Sequence, residues 1–293
     1  MRVAIIDVGS NTVRLLVADR SSAKLTPVHE ARTFLGLGEE VELLGRIRAE
    51  RLARVAACAA SYARAARELG ALAVEVIVTA PGRQSQNADD LVAALATATG
   101  ARTRVLSAEE EGRLAYEGAV AALPSIPASV AVCDVGGGST ELVVGTARGG
   151  PAWARSVDLG SLRLTRRFLA EDPPGKKALA VARDEVRRSL DGMAAPIPIL
   201  ALATGGTARA VAKLVSLPLG GSELTYAVRR LAKRSSGEIA KRYGIDPARA
   251  RTLAAGAVIL AEVQERVGVP FDVARGGLRE GAALAALEEL AAA

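Results

Sequence analysis

The chain has 293 residues, about the length of two domains, and half of them are apolar, as in a globular protein. It contains one histidine, His29, and two cysteines, Cys58 and Cys133. This count excludes a zinc cluster and a disulfide framework, and His29 stands in no motif typical of a catalytic triad. We therefore expect a cytoplasmic protein whose chemistry depends on carboxylates, main-chain amides, basic side chains, hydroxyls or a metal held by oxygen.

The charge balance favours a polyanionic partner. Lys and Arg number 38 against 32 Asp and Glu, a net charge of +6. Genome composition is an alternative explanation of the many arginines. Aromatic residues are only 3% of the chain, which leaves few platforms for stacking bases, so we expect no nucleic-acid partner. The short apolar runs, none approaching the ~20 residues that span a bilayer, predict no membrane association.

The elements predicted in the first half alternate between strands and helices. Strands are predicted over 3–7, 13–19, 24–32, 74–79 and 103–106, and helices over 49–69, 88–99 and 108–122. The segment 35–38 is predicted as a loop, and 79–87 as a Pro-Gly turn leaving its strand. Pro124 and Pro127 then indicate a domain boundary.

The pattern restarts after this boundary. Strands are predicted over 130–134, 141–145, 152–158, 197–203 and 271–274, and helices over 161–169, 176–193, 204–215, 224–234, 248–267 and 278–290. Both halves open with a strand that ends in Asp-Val-Gly, followed by small hydroxyl residues and a second strand. The two aspartates, Asp7 and Asp134, lie too far apart for a solenoid repeat. The repeat predicts two similar α/β domains.

Three turns of small residues follow apolar strands, at 9–12, 136–140 and 204–207. Glycine lets the main chain approach a ligand closely, and successive N–H groups form a concave anion site. Hydroxyls add further donors, and the third turn opens a helix, whose N-terminal end is positive. These turns predict phosphate binding by Gly9, Ser10, Asn11, Thr12, Gly136, Gly137, Gly138, Ser139, Thr140, Gly205, Gly206 and Thr207.

Carboxylates stand beside these turns. Asp7 and Asp134 each end a strand, where an aspartate either caps local amides or binds a divalent cation that bridges phosphate oxygens. The three acids 109–111 follow Ser107, a pattern typical of a helix N-terminus. A glutamate of this group is also the natural general base in a chain without a suitable histidine.

Arginines supply candidate phosphate ligands. Arg83 stands at the end of a strand, where its guanidinium could form a bidentate hydrogen bond with a phosphate. Two further basic clusters fall on single helices, 163–167 and 229–234. A solvated helix face is the ordinary explanation of such clusters, and a track for a long polyanion is the alternative.

The motifs at 6–12, 79–87, 110–114, 134–141, 205–209 and 277–281 together resemble the exopolyphosphatase/guanosine pentaphosphate phosphohydrolase family, within the actin/hexokinase superfamily. The resemblance covers nearly the whole chain. The pairing of Asp-x-Gly-Ser-Asn-Thr with Asp-x-Gly-Gly-Gly-Ser-Thr-Glu is specific, whereas glycine turns alone are not. The chain departs from the family pattern at Pro81-Gly82 and Gly112, which leaves substrate preference open.

The resemblance implies an α/β fold of two ribonuclease-H-like domains, 1–123 plus 278–293 and 124–277, with a cleft between them. It implies that Glu111 is the general base and that Arg83 and the glycine turns hold phosphate. Asp134 and Glu141 would help to hold Mg²⁺, with Mn²⁺ as the alternative, and Asp7 is the third candidate ligand. The family likeness also implies a homodimer.

The expected activity is hydrolysis of the terminal phosphate of inorganic polyphosphate. Guanosine pentaphosphate is the alternative substrate. Two other classes stay open: a kinase or ATPase of the superfamily, which needs an adenosine pocket, and a sensor that binds polyphosphate or phosphate without hydrolysis.

Overall fold

The computed structural model describes residues 1–21, 24–125, 127–146 and 149–292. Two compact units divide the chain, one from Met1 to Ala122 together with the chain from Leu278 onward, the other Leu123–Gly277. Each unit is built on one five-stranded mixed sheet, which confirms the predicted α/β class.

The first unit contains five strands and six helices in its described residues. These are β1 (Arg2–Val8), β2 (Thr12–Ser21), β3 (Lys24–Phe34), α1 (Leu37–Leu44), α2 (Ala49–Glu68), β4 (Ala73–Val78), α3 (Ala80–Gln84), α4 (Ala88–Thr99), β5 (Arg102–Val105), α5 (Ala108–Ala121) and α12 (Leu278–Ala292). The strand order is β3-β2-β1-β4-β5, with β1, β2 and β3 antiparallel and β4 and β5 parallel to β1. This is a ribonuclease-H-like sheet.

Helices cover both faces of this sheet because the apolar residues of β1 point to its two faces in alternation. Ile6 and Val8 pack into a core with α2 and α4, while Val3 and Ile5 pack into a core with α5 and α12. The central strand is therefore buried from Val3 to Val8, and its carboxyl end is fixed in position together with that of β4.

The second unit repeats this topology. Its elements are β6 (Val130–Val135), β7 (Thr140–Thr146), β8 (Gly150–Val157), α6 (Ser161–Phe168), α7 (Lys176–Ser189), β9 (Leu200–Thr204), α8 (Gly205–Val211), α9 (Gly221–Leu231), α10 (Ser236–Tyr243), α11 (Pro247–Val267) and β10 (Phe271–Val273). The order β10-β9-β6-β7-β8 has the same antiparallel and parallel pairings as the first sheet. The long helix α11 is buried along most of its length and forms the centre of the core.

Three helices differ from the sequence expectation. Residues 37–44 form α1 where a loop was predicted to reach 38, because Leu37 and Val41, one turn apart, are both buried. The predicted Pro-Gly turn is instead the one-turn helix α3, which Pro81 favours at its start. The sequence analysis missed α10, although Ser235 and Glu238 form a capping box at its start.

One strand begins later than expected. The prediction of a strand from residue 197 was wrong at its start, since β9 begins at Leu200. Pro196 and Pro198 lack the N–H that a ladder needs, and Ile197 and Ile199 remain exposed. Among the described residues, no helix combines the length and the apolar character that crossing a bilayer requires.

A buried carboxylate ties α1 to α2. Glu40 is 4% exposed, and its oxygens accept bonds from the main-chain N–H and the guanidinium of Arg48 and from Nε of Arg51, at 2.8–3.2 Å. Burial raises the pKa of Glu40, but these bonds outweigh it, and the net pKa lies below the ordinary value of 4.5. The ionised carboxylate therefore stabilises the fold.

Replacing Glu40 by glutamine is expected to lower the free energy of unfolding by about 1–2 kcal/mol at pH 7, since charged hydrogen bonds are lost. A carboxyl whose folded pKa is lowered stabilises above its unfolded pKa and loses that contribution as the pH falls through the folded value. The gap between wild type and variant should therefore begin to narrow as the pH falls below the unfolded pKa of about 4.3 and continue to narrow below it. Urea unfolding from pH 3 to 7 measures this, with exposed Glu68→Gln on α2 as control; an equal gap at every pH contradicts it.

Candidate active site

The first unit carries a tight turn between β1 and β2. The Gly9 N–H donates to the Thr12 carbonyl at 3.0 Å, which closes the turn. The carbonyls of Ser10 and Asn11 accept bonds from main-chain N–H groups of residues 35–38. Because C=O and N–H of a trans peptide point in opposite directions, the following N–H groups face away from that segment. The turn thus presents consecutive amides on one side, as an anion site requires.

Side chains at the ends of β1 and β4 surround this turn. Asp7, Ser10 and Thr12 are buried or nearly so, at 5–9% exposure. A Cβ on Gly9 would lie 3.6 Å from the Thr79 hydroxyl, so a larger residue would fill the space between the turn and β4. The sequence analysis gave Thr79 no role, and its position at the end of the neighbouring parallel strand was the available signal.

The same unit joins Arg83 to Glu111. Nη1 of Arg83 donates to Oε2 of Glu111 at 2.7 Å and to the Leu106 carbonyl at 3.0 Å. Gly82 allows the close packing behind this ion pair. A Cβ at residue 82 would lie only 2.8 Å from both Val105 methyl groups, so a larger residue would push α3 away from β5. The departure from the family pattern at Pro81-Gly82 therefore has a local function: it lets α3 lie directly against β5.

The three acids at the start of α5 have three different surroundings. Glu109 is exposed. Glu110 forms a capping box with Ser107 and an ion pair with Arg104. The hydrogen bond from the Ser107 main-chain N–H lowers the pKa of the Glu110 carboxyl below its ordinary value. Glu111 is 8% exposed and contacts Arg83. Only Glu111 of the three is a buried carboxylate with a guanidinium beside it.

The corresponding turn of the second unit has the same closure. The Gly136 N–H donates to the Ser139 carbonyl at 3.0 Å. The carbonyls of Gly136 and Gly137 accept bonds from the first N–H groups of α6, so the Gly137 and Gly138 amides face away from that helix. The repeat predicted from sequence is thus also a repeat of main-chain hydrogen bonding.

Two residues missed by the sequence analysis hold this turn. A Cβ on Gly160 would overlap the main chain of Gly137, so only glycine allows α6 to approach the turn so closely. The Ser161 main-chain N–H and hydroxyl both donate to the Gly136 carbonyl, and Ser161 is fully buried. A single Gly-Ser pair at the start of a helix is common in sequences, so this role could not be recognised before the fold was known.

Two carboxylates oppose each other in the second sheet. Asp134 on β6 and Glu141 on β7 are direct cross-strand partners, and Glu141 is 2% exposed. Like charges in this arrangement repel unless a cation lies between them. Ser156 donates to Glu141 at 2.9 Å, and Gly205, with φ of +82°, would place a Cβ 2.5 Å from Oδ1 of Asp134. Ser156 and Gly205 therefore lie directly against the two carboxylates.

This pair fits a divalent cation with few protein ligands. Among the described residues, no three His, Cys, Asp or Glu side chains form a group that could hold a metal. Mg²⁺ typically takes one or two carboxylates and completes its shell with water and substrate phosphate. Burial, with the charges of Asp134 and Glu141, raises the pKa of the Cys133 thiol well above its ordinary range, so Cys133 is no nucleophile.

Two of the predicted phosphate ligands contact main chain instead. The Thr140 hydroxyl donates to the Leu159 carbonyl at 2.6 Å, and the Thr207 hydroxyl donates to the Val135 carbonyl at 2.8 Å. Each hydroxyl has one proton, and both side chains are at least 98% buried. We therefore assign Thr140 and Thr207 to positioning the Gly136 turn.

Replacing Thr207 by valine tests this assignment. The change keeps the volume and leaves the Val135 carbonyl without its donor, so we expect about 1–2 kcal/mol lower stability. The KM for the polyanionic substrate expected from the sequence should change less than about threefold, while a lost phosphate contact would raise it about tenfold or more. Urea unfolding and initial rates measure the two effects, and Thr207→Ser, which keeps the hydroxyl, is the control.

Two ribonuclease-H-like sheets, each with an amide-presenting turn and buried carboxylates beside it, define a phosphate-processing enzyme. The profile of the Ppx/GppA phosphatase family matches residues 16–290, and the chain belongs to that family. It is accordingly a hydrolase that acts on phosphoric anhydrides.

Individual relatives cover almost the full chain. An uncharacterised protein of Streptomyces coelicolor is 33% identical over 99% of this chain and 91% of its own length. Exopolyphosphatase 2 of Mycobacterium tuberculosis is 31% identical over 97% of this chain and 98% of its own. The crystal structure of the Aquifex aeolicus family member superposes with a TM-score of 0.83 at 27% identity, covering 99% of this chain and 98% of the other.

Proposed function

We propose that this protein hydrolyses the terminal phosphate of inorganic polyphosphate. The observation that carries the proposal is the buried Glu111, which stands beside Arg83 in a chain of the Ppx/GppA family. Relatives named exopolyphosphatases, matched over 90–98% of their own length, support this substrate at about 30% identity.

In the proposed reaction, Glu111 orients a water and accepts its proton as the water attacks the terminal phosphorus in line. Arg83 has several N–H groups, of which Nη1 contacts Glu111. A terminal phosphate that accepts bonds from Arg83 would draw the guanidinium toward itself and free the carboxylate for water. Arg83 thus serves both the base and the substrate.

We further propose that the amides of the turns at 9–12, 136–139 and 205–206 bind phosphate oxygens. Turns whose carbonyls are occupied by neighbouring main chain hold their amides rigidly, and donors fixed before the reaction need no reorganisation. Positioned donors of this kind contribute about 3–4 kcal/mol each in other hydrolases.

We assign the metal to Asp134 and Glu141, with Mg²⁺ as the ion and Mn²⁺ as the substitute. Bound there, the cation would neutralise charge on phosphate oxygens. Asp7, which belongs to the first unit, stays a candidate metal ligand. The two free thiols are consistent with the cytoplasm, where we propose that the protein works, as a homodimer.

Glu141→Gln separates the metal role from the fold. Glutamine keeps the volume of Glu141 and can still accept the bond from Ser156, so the protein should fold in EDTA as the wild type does. The Mg²⁺ concentration for half-maximal phosphate release should rise about tenfold or more, because one ligand has lost its charge. Melting curves in EDTA and Mg²⁺ titrations of the rate measure this. Asp191→Asn, an exposed acid of the same unit, should change neither, and equal Mg²⁺ dependence in wild type and Glu141→Gln contradicts the assignment.

Comparison of kcat/KM for polyphosphate and guanosine pentaphosphate tests the substrate. The proposal predicts a higher value for polyphosphate. A higher value for pentaphosphate would transfer the proposal to the 5′-phosphate of that nucleotide. Binding of polyphosphate without phosphate release would favour a sensor, and transfer from ATP to a small alcohol would favour a kinase.

A further inference from the structure

The excess positive charge of the chain is concentrated in one segment of the second unit. Residues 205–244 contain eight Lys and Arg against two Asp and Glu, a net charge of +6, which equals the net charge of the whole protein. The rest of the chain is therefore balanced. Arginine itself is evenly spread, with five of 32 in these 40 residues, so the excess comes from three of the six lysines and from the small number of Asp and Glu.

The basic residues of α9 lie on its solvent face. Leu224, Val228 and Leu231 are buried on the opposite face. Tyr226 and Arg230 are one helical turn apart, Arg229 is exposed beside them, and Lys233 continues the face in the following turn, where its N–H bonds the Arg230 carbonyl.

An aromatic and basic cluster connects α9 to the end of α10. The Arg230 guanidinium lies 5.0 Å from the centre of the Tyr226 ring and 5.5 Å from that of Tyr243, and the Arg242 guanidinium lies 5.8 Å from Tyr243. Lys213 donates to the Gly244 carbonyl at 2.9 Å and fixes the end of α10 beside them. Residues 213, 226–233 and 242–244 form what we term the α9–α10 surface.

The acids of this segment are occupied away from the basic cluster. Glu223 accepts from Ser222 in the first turn of α9, and Glu238 accepts from Ser235 in the capping box of α10. Both stand at helix N-termini, where a carboxylate is stabilised locally. Arg229, Arg230 and Arg242 stand at the opposite ends of these helices, so their charge is not cancelled within the cluster.

Stacking prepares Arg230 to bind phosphate. A guanidinium held against aromatic rings loses little freedom when it binds, and its N–H edge, rather than its face, donates to phosphate oxygens. The tyrosine rings already hold arginines, which argues against their use as platforms for nucleic-acid bases.

We infer that the α9–α10 surface binds the distal part of a long polyphosphate chain while its terminal phosphate is hydrolysed at the proposed active site. The inference rests on the proposed function for the identity of the polyanion. Binding through several positive charges releases counterions, so the advantage of a long chain over a short one should fall steeply with salt.

The test uses the double variant Arg229→Gln/Lys233→Gln, two exposed residues outside the proposed active site. The control is Lys176→Gln/Lys177→Gln, which removes the same charge from exposed positions on α7 of the same unit. We expect kcat/KM for chains of about 100 phosphates to fall about fivefold to tenfold at low salt in the first variant only. The value for tripolyphosphate, too short to need a distal site, should stay within about twofold in both.

A fall of equal size for both chain lengths, or in both variants, would overturn the inference.

Binding of the long chain, measured in EDTA where turnover stops, makes a second test that does not depend on the proposed activity. If the wild type releases no phosphate from either substrate, the proposed function fails. Weaker binding by Arg229→Gln/Lys233→Gln than by the control would then still support the surface, and equal binding would overturn it. Tighter binding of an RNA oligonucleotide of matched charge would overturn the choice of polyphosphate.

Discussion

Replacing Glu111 by glutamine is expected to lower kcat for polyphosphate hydrolysis by about 10²–10⁴-fold, the usual contribution of a general base. Glutamine keeps the volume and can still accept a bond from Arg83, but it cannot take a proton from water. Binding should persist, because the proposed phosphate ligands are main-chain amides and the guanidinium. Single-turnover phosphate release, with binding measured in EDTA, separates the two effects.

Glu110→Gln is the matched control for this experiment. It changes the adjacent residue in the same way but removes the charge of the capping carboxylate and its ion pair with Arg104 instead of the proposed base. We expect a stability loss of about 0.5–1 kcal/mol and turnover within about threefold of wild type. Near-wild-type turnover in Glu111→Gln, or an equal loss in both variants, would contradict the role of Glu111.

Replacing Gly281 by alanine is expected to have the largest effect on stability. Gly281 lies on α12 against α5, and a Cβ there would overlap the Leu114 carbonyl and lie 3.1 Å from the Gly118 nitrogen. Both neighbours are main chain, so neither can move without separating the helices. Overpacking of this kind costs about 3 kcal/mol or more, which should lower Tm by roughly 6–12 °C. Because α5 carries Glu111, we also expect lower turnover.

Gly237→Ala provides the comparison. This glycine lies in α10, and a Cβ there meets no atom within 4 Å. Alanine favours helix over glycine by about 1 kcal/mol, so this variant should be as stable as wild type or more so. Thermal melts measure both variants, and a Gly281→Ala protein that melts within about 2 °C of wild type would refute close packing of α12 on α5.

The fold was largely predictable because the internal repeat and the apolar strands are local signals. A strand ending in aspartate before a glycine turn occurs twice, and the structure confirms a similar sheet in each unit. Errors fell where a local signal was weak or ambiguous. Gly38 made the start of α1 resemble a loop, and burial of Leu37 and Val41, which stabilises that helix, comes from tertiary packing.

The candidate site was predictable as a set of residues but not as a set of contacts. Sequence identified Glu111 and Arg83, yet 28 positions separate them, and their ion pair depends on how closely α3 approaches β5. Thr140 and Thr207 read as hydroxyl donors, and only the fold supplies the carbonyls that take their protons. Gly160 had no signal, since its contact is a close approach between segments distant in sequence.

The most direct test of the account is hydrolysis of tripolyphosphate by wild-type protein with Mg²⁺ in ¹⁸O-labelled water. Attack of water on the terminal phosphorus predicts orthophosphate with one ¹⁸O atom and unlabelled pyrophosphate, with little product from Glu111→Gln. Mass spectrometry of the two products reads the result. Label in the pyrophosphate would show attack at the inner phosphorus, and that outcome or the absence of phosphate release by wild type would contradict the account.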